Sequence, residues 1–238
     1  MNKLLTTFFT LAVACVTGLV NAQTPAAPAS PAAANAKAAA PAPGSAKSIE
    51  AKTSACFGCH GIRGYHSSFP EVFKVPMISG QNAKYIVAAL TAYKNGDRKH
   101  GSMHGMASSL SEQDMQEIAA FYESHGKEGG AAIPDKLSKQ PPPDVAPLLQ
   151  KAACVSCHGA NLSKPIDPSY PKIAGQHADY LFVALKAYKI ENSPSVGRKN
   201  PIMGAIAKQF SNAELKALAA YVGSLDSELT VRPESRFR

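Results

Sequence analysis

Two pentapeptides of one form, CFGCH at 56–60 and CVSCH at 154–158, stand 98 residues apart in a chain of 238. They begin a longer duplication. Pro76, Ile78, Gly80, Gln81, Tyr85, Leu90 and Tyr93 return 95 residues later as Pro171, Ile173, Gly175, Gln176, Tyr180, Leu185 and Tyr188. Met103, Ser111, Ile118 and Ala119 return 100 residues later as Met203, Ser211, Leu218 and Ala219. Landmarks kept in one order, with offsets that drift by a few residues, mean one unit copied once and its loops altered since. The chain must therefore build the same small domain twice, over 49–126 and 147–226. A domain of about 80 residues is one whose core alone is marginal. The linker, 127–146, opens on Gly129 and Gly130 and is stiffened by Pro141, Pro142 and Pro143.

Within each copy the apolar spacing is helical. Tyr85, Ile86, Leu90 and Tyr93 share one face of a helix over 81–93. Ser111 with Asp114, and Ser211 with Glu214, read as capping boxes that open a closing helix. The apolar faces of those helices carry Met115, Ile118, Ala119 and Tyr122 in one copy and Leu215, Leu218, Ala219 and Val222 in the other. No alternating strand pattern stands out. The fold expected is all-α, as two tandem domains.

Cys-x-x-Cys-His is the attachment signal of a c-type haem. Two cysteines three apart lie on one side of a helical turn, where both sulfurs reach the vinyl groups of one porphyrin. The adjoining histidine projects its imidazole at the iron from the same face. Cys56, Cys59 and His60 form one such set, and Cys154, Cys157 and His158 the other. Two other chemistries use parts of this pattern. A redox disulfide expects a strand–helix context that is missing here. A structural zinc ion is poorly served by a histidine immediately after a cysteine. The chain has no Trp and only 7% aromatic residues, so a bound apolar cofactor is one answer to what fills its core.

A sixth iron ligand must come from elsewhere in each copy. Met103 and Met203 hold matched positions, each eight residues before the capping serine. An isolated Met is usually packing, but a matched pair in duplicated haem domains points to ligation. Met106 faces Ile206 in the alignment of the copies and is expected in the core. His100 and His104 flank Met103 where the second copy has Asn200 and Gly204, and either would make a bis-histidine site of lower potential. His66, His125 and His177 have no matched histidine and read as surface or hydrogen-bonding residues.

These features together resemble cytochrome c4, the two-domain, two-haem class I cytochrome of bacterial respiratory chains. The resemblance rests on the two CxxCH motifs, the Pro-x-Ile-x-Gly-Gln stretches, Met103 and Met203, and the paired closing helices over about 49–226. It implies two cytochrome c folds packed face to face, two covalently bound haem c groups, and cofactor-binding residues Cys56, Cys59, His60, Met103, Cys154, Cys157, His158 and Met203. It also implies that the carbonyls of Pro76 and Pro171 orient the proximal imidazoles. The role it implies is periplasmic and non-catalytic, passing single electrons from a cytochrome bc-type quinol-oxidising complex to a terminal oxidase. A cytochrome subunit of a periplasmic dehydrogenase is the alternative. A di-haem peroxidase would need an open iron position, which the matched methionines count against.

The remaining sequence sets the location. Lys3, an apolar run over 4–20 and Val20-Asn21-Ala22 read as an export signal over 1–22. Retained, that segment would be a membrane tether, and Cys15 within it is a weak lipoprotein signal. The Ala- and Pro-rich stretch 23–48 reads as a disordered spacer, and 227–238 as a C-terminal tail. The formal charge is +8, which the haem propionates would bring nearer neutral. Lys and Arg are dispersed, which argues for docking to acidic surfaces and against nucleic acid.

Overall fold

The computed structural model describes residues 46–126 and 133–234, with the backbone alone at 46–48. The export signal, the spacer up to residue 45, Gly129 and Gly130 lie outside the described residues.

The first lobe opens with α1 (Ala46–His60), which ends in the first pentapeptide. Thr53 and Phe57, four apart, turn inward, while Lys52 on the outer side pairs with Asp114 and Glu117. A two-residue antiparallel pair follows, β1 (His66–Ser67) with β2 (Phe73–Lys74). Helix α2 (Ala83–Lys94) buries Ile86, Leu90 and Tyr93, at the spacing of one helical face. Tyr85 is only half-buried and faces Arg98. After β3 (Arg98–Lys99) come α3 (Gly101–Ser108) and α4 (Glu112–His125). Both halves of the capping box at Ser111 and Asp114 form.

The second lobe repeats the helical order, with its first helix in two pieces and no counterpart of β1 and β2 among the described residues. It runs through α5 (Ala146–Ala152), α6 (Cys154–His158), α7 (Ala178–Ala187), β4 (Gly197–Arg198), α8 (Pro201–Ala207) and α9 (Asn212–Gly223). The Ser211–Glu214 capping box also forms. Each lobe has its own core. The first is built on Ile86, Leu90, Met115, Ile118 and Tyr122, the second on Leu162, Leu181, Leu215, Leu218 and Val222. The protein is all-α, as two tandem domains, and its strands are two-residue pairs.

One of those pairs joins the lobes. β3 lies antiparallel to β4, with Arg98 opposite Arg198. These are matched positions of the two copies, so the contact is isologous, like that of a dimer fused into one chain. The segment expected to be a tail also crosses between lobes. Thr230 donates its N–H to the Ser79 carbonyl at 3.1 Å, and Leu229 and Val231 are buried. Gly80 (φ 88°) admits this strap, because a Cβ there would overlap the Glu228 carbonyl oxygen. Met106, expected in the core, is 40% exposed. Met103 and Ala107, four apart, take the inward side of α3 and turn Met106 out.

Candidate functional site

Each pentapeptide is anchored by its histidine. His60 Nδ1 lies 2.8 Å from the Pro76 carbonyl oxygen, and His158 Nδ1 lies 2.9 Å from that of Pro171. A carbonyl only accepts, so Nδ1 carries the proton and Nε2 keeps its lone pair. Burial pushes both imidazoles below their ordinary pKa, which keeps them neutral. A neutral ring with Nδ1 committed and Nε2 free is in the tautomer that a metal ligand needs.

The cysteine environments separate the chemistries left open by sequence. Burial pushes the Cys56 and Cys154 thiols up, whereas a redox CxxC depends on a depressed thiol. Among the described residues no three His, Cys, Asp or Glu side chains converge on one point, as a structural zinc ion requires.

In the second lobe Cys154, Cys157, His158 and Met203 all line one cavity of about 290 Å³. Its walls are largely aliphatic, with Leu181, Leu185 and Leu218 among them. In the first lobe Cys56 and Met103 pack against a single core cluster, and Cys59 is exposed. The two methionines are presented alike. Each lies in the first turn of a short helix, and its backbone N–H is bound by the preceding cap. Asn200 Oδ1 accepts from Met203 at 2.9 Å, and His100 Nδ1 accepts from Met103 at 3.4 Å. His100 is thus the cap that replaces Asn200, with its ring edge-on to Phe73. His104 Nδ1 meets the Tyr93 carbonyl at 2.8 Å. Both histidines beside Met103 are held by the backbone. Of the unmatched histidines, His177 stands at the N-cap position of α7, and His125 stacks on Phe121 with its Nδ1 3.1 Å from Ser79 Oγ.

A cluster that sequence reasoning missed borders the cavity. Arg98 Nη2 donates to Tyr180 Oη at 2.6 Å, and Arg198 Nη2 donates to the same oxygen at 3.1 Å. Arg98 Nη1 reaches Tyr85 Oη at 3.3 Å, while Arg98 Nε is buried without a partner. No carboxylate of the described residues pairs with either guanidinium. Burial raises the Tyr85 phenol to about 12; it opposes ionisation of Tyr180 too, yet the two arginines bring that phenol down to about 8. Two positive charges with only phenols for company call for an anion. Haem propionates would supply it. The residues present fit the expected group: an apolar slot, two thiols, a pre-set imidazole, a thioether, and cations at the rim. The one available signal was that Arg98 and Arg198 repeat at the offset of the methionines.

The cytochrome c family model matches residues 42–126 and 145–226. Cytochrome c4 of Azotobacter vinelandii is 29% identical over 94% of this chain and the whole of that protein. The thiosulfate dehydrogenase electron acceptor of Stutzerimonas stutzeri is 30% identical, over 74% of this chain and 81% of that one. The crystal structure of reduced recombinant cytochrome c4 from Pseudomonas stutzeri superposes with a TM-score of 0.55 at 27% identity, over 77% of this chain and all of that one.

Proposed function

This chain belongs to the cytochrome c family, as a two-domain, two-haem protein of the c4 type, and from that premise we propose that it is an exported electron carrier with no reaction of its own. Two covalently bound haem c groups come with that family. Each haem, when bound, supplies an iron that takes up one electron and gives it back.

The protein's part is to hold, orient and seal. Cys56 and Cys59 bind one porphyrin, Cys154 and Cys157 the other. His60 and His158 offer Nε2 to the metal, because Nδ1 is engaged by Pro76 and Pro171. Met103 and Met203 would hold the metal through their thioethers, from helices that His100 and Asn200 cap. A thioether favours the reduced metal and raises the potential relative to two imidazoles. With an imidazole and a thioether from each lobe held for the metal, the chain would leave little place for a substrate. Arg98 and Arg198, where the lobes meet, would offset propionate charge. The observation that carries this reading is the convergence of Cys154, Cys157, His158 and Met203 on one aliphatic cavity.

The working units are 49–126 and 147–226, joined by 127–146 and preceded by an export signal (1–22) and a spacer (23–48) whose last three residues the structure gives to α1. The location is the periplasm. No helix among the described residues is long and apolar enough to cross a membrane; a retained export signal would be the tether. The donor is a cytochrome bc-type complex and the acceptor a terminal oxidase. The relative named as an electron acceptor of thiosulfate dehydrogenase supports a second reading, in which a periplasmic dehydrogenase is the donor. Co-purification of such an enzyme would favour it.

A spectroscopic redox titration tests the carrier. Two high-potential steps are expected, together with the weak far-red band of methionine-bound ferric haem. A strongly negative step, loss of that band, or ready binding of carbon monoxide by the reduced protein would overturn it.

A further inference from the structure

The two glutamines of the repeated Pro-x-Ile-x-Gly-Gln stretch cross between lobes. Gln176 Oε1 accepts from the Met77 N–H at 3.0 Å, and Gln176 Nε2 donates to the Met77 carbonyl at 2.8 Å. Its counterpart does the reverse. Gln81 Oε1 accepts from the Lys172 N–H at 2.9 Å, and Gln81 Nε2 donates to the Lys172 carbonyl at 3.0 Å. Each Oε1 also accepts from the residue after it, Asn82 or His177, at 3.0 Å. Two N–H donors on one side and a carbonyl on the other leave a single amide orientation. Both side chains are buried, at 3% and 4% exposure, so solvent water has little room to replace them.

The peptide they select is the informative part. The Met77 N–H belongs to the same peptide unit as the Pro76 carbonyl, which holds His60 at 2.8 Å. The Lys172 N–H belongs to the same unit as the Pro171 carbonyl, which holds His158 at 2.9 Å. One rigid amide therefore joins the proximal histidine of each lobe to the glutamine of the other.

We propose that Gln81 and Gln176 are crossed positioning residues: each strengthens, through one peptide unit, the hydrogen bond to the proximal histidine of the opposite lobe. A peptide whose N–H donates is polarised, and its carbonyl becomes a better acceptor by about 10–30%. A better acceptor draws the Nδ1 proton, makes the imidazole more electron-rich, and favours the ferric state. Gln176 thus lowers the potential of the first lobe and Gln81 that of the second. Separation of the lobes would raise both, so docking and potential are tied by one set of bonds. The inference rests on His60 and His158 as iron ligands and is independent of the methionines.

The test uses the full haem-loaded protein with ¹⁵N-labelled histidine. Gln176→Met removes both bonds to Met77, and the one from the His177 N–H, at similar volume. It is expected to move the His60 Nδ1–H resonance of the reduced protein upfield and leave that of His158 in place. The reduction equilibrium of the first lobe should shift about threefold toward the ferrous form, roughly 28 mV at 59 mV per tenfold for one electron. Gln81→Met should give the mirror image. Should either variant fail to fold, the corresponding Asn substitution, which withdraws the amide by one methylene, carries the same expectation at smaller size. Shifts confined to the substituted lobe, equal shifts in both lobes, or none in the variant that folds would overturn the crossed relay. Absence of the far-red band in the parent protein would instead overturn the methionine-ligated carrier and leave the crossed relay standing.

Discussion

In the first lobe the CFGCH motif ends an unbroken helix of 15 residues, while in the second the CVSCH motif is a five-residue helix cut from α5 by Ala153 at φ 48°. The break re-aims one residue. Phe57, just after the first cysteine, is buried and packs its ring near those of Phe121, Tyr122 and His125. Val155, in the same place, is 45% exposed. The second lobe fills its core from the loop after the motif instead, with Leu162 fully buried and its carbonyl accepting from Ile173 and Ala174. Cys, Cys and His are spaced alike in both lobes, and everything between them was free to diverge. The chemistry of attachment constrains three side chains, whereas packing constrains only total volume.

That contrast can be broken in five ways, from the largest effect down. Replacing Cys154 and Cys157 with Ala releases the haem that fills the second lobe. An apolar slot of about 290 Å³ left without its occupant should destabilise the lobe by a large share of a domain's stability. Calorimetry should show the second lobe unfolding far earlier. The same change at Cys56 and Cys59 should cost the ring-filled first lobe less, and equal losses would mean the rings do not compensate. Phe57→Ala should cost about 3–5 kcal/mol and Val155→Ala about 0.5 or less, both read from urea midpoints. Asn200→Ala and His100→Ala each remove a cap worth about 1 kcal/mol. The loss should be greater for Asn200, whose bond is shorter, and each should weaken the far-red band of its own lobe only. Ala153→Gly should stabilise the second lobe by about 0.5–1 kcal/mol, since glycine takes a left-handed conformation without steric cost.

The smallest effect depends on pH. Lys52 hydrogen-bonds Asp114 and Glu117, and with the Ser111 cap it brings the Asp114 carboxyl down to about 2. A depressed folded-state pKa contributes stability that is complete above the unfolded value of about 3.9. It is lost as pH falls through about 2. In the second lobe Lys151, one residue past the matched place, meets the Gln209 carbonyl instead, a partner that does not titrate. Lys52→Met should therefore lower the first lobe's urea midpoint slightly near neutral pH and by much less at pH 2. A loss equal at both would assign the effect to packing of the Lys stem.

The sequence by itself determined the duplication, the helical class, both capping boxes and the attachment motifs, because each is local. A capping box needs four residues, a helical face one turn in register, a CxxCH motif five. The amphipathic face of α2 was legible for the same reason, with Tyr85 misassigned because its partner, Arg98, lies off the helix. What only the tertiary structure decided involves residues far apart in the chain. Met106 faces out because α3 docks through Met103 and Ala107. His100 became a cap once its ring turned toward Met103 N, and 227–234 became a strap because Gly80 leaves it room. The crossed glutamines, the paired arginines and the β3–β4 contact arise where two copies of one surface meet. A repeat announces that two such surfaces exist; which residues they exchange is set by how the lobes pack.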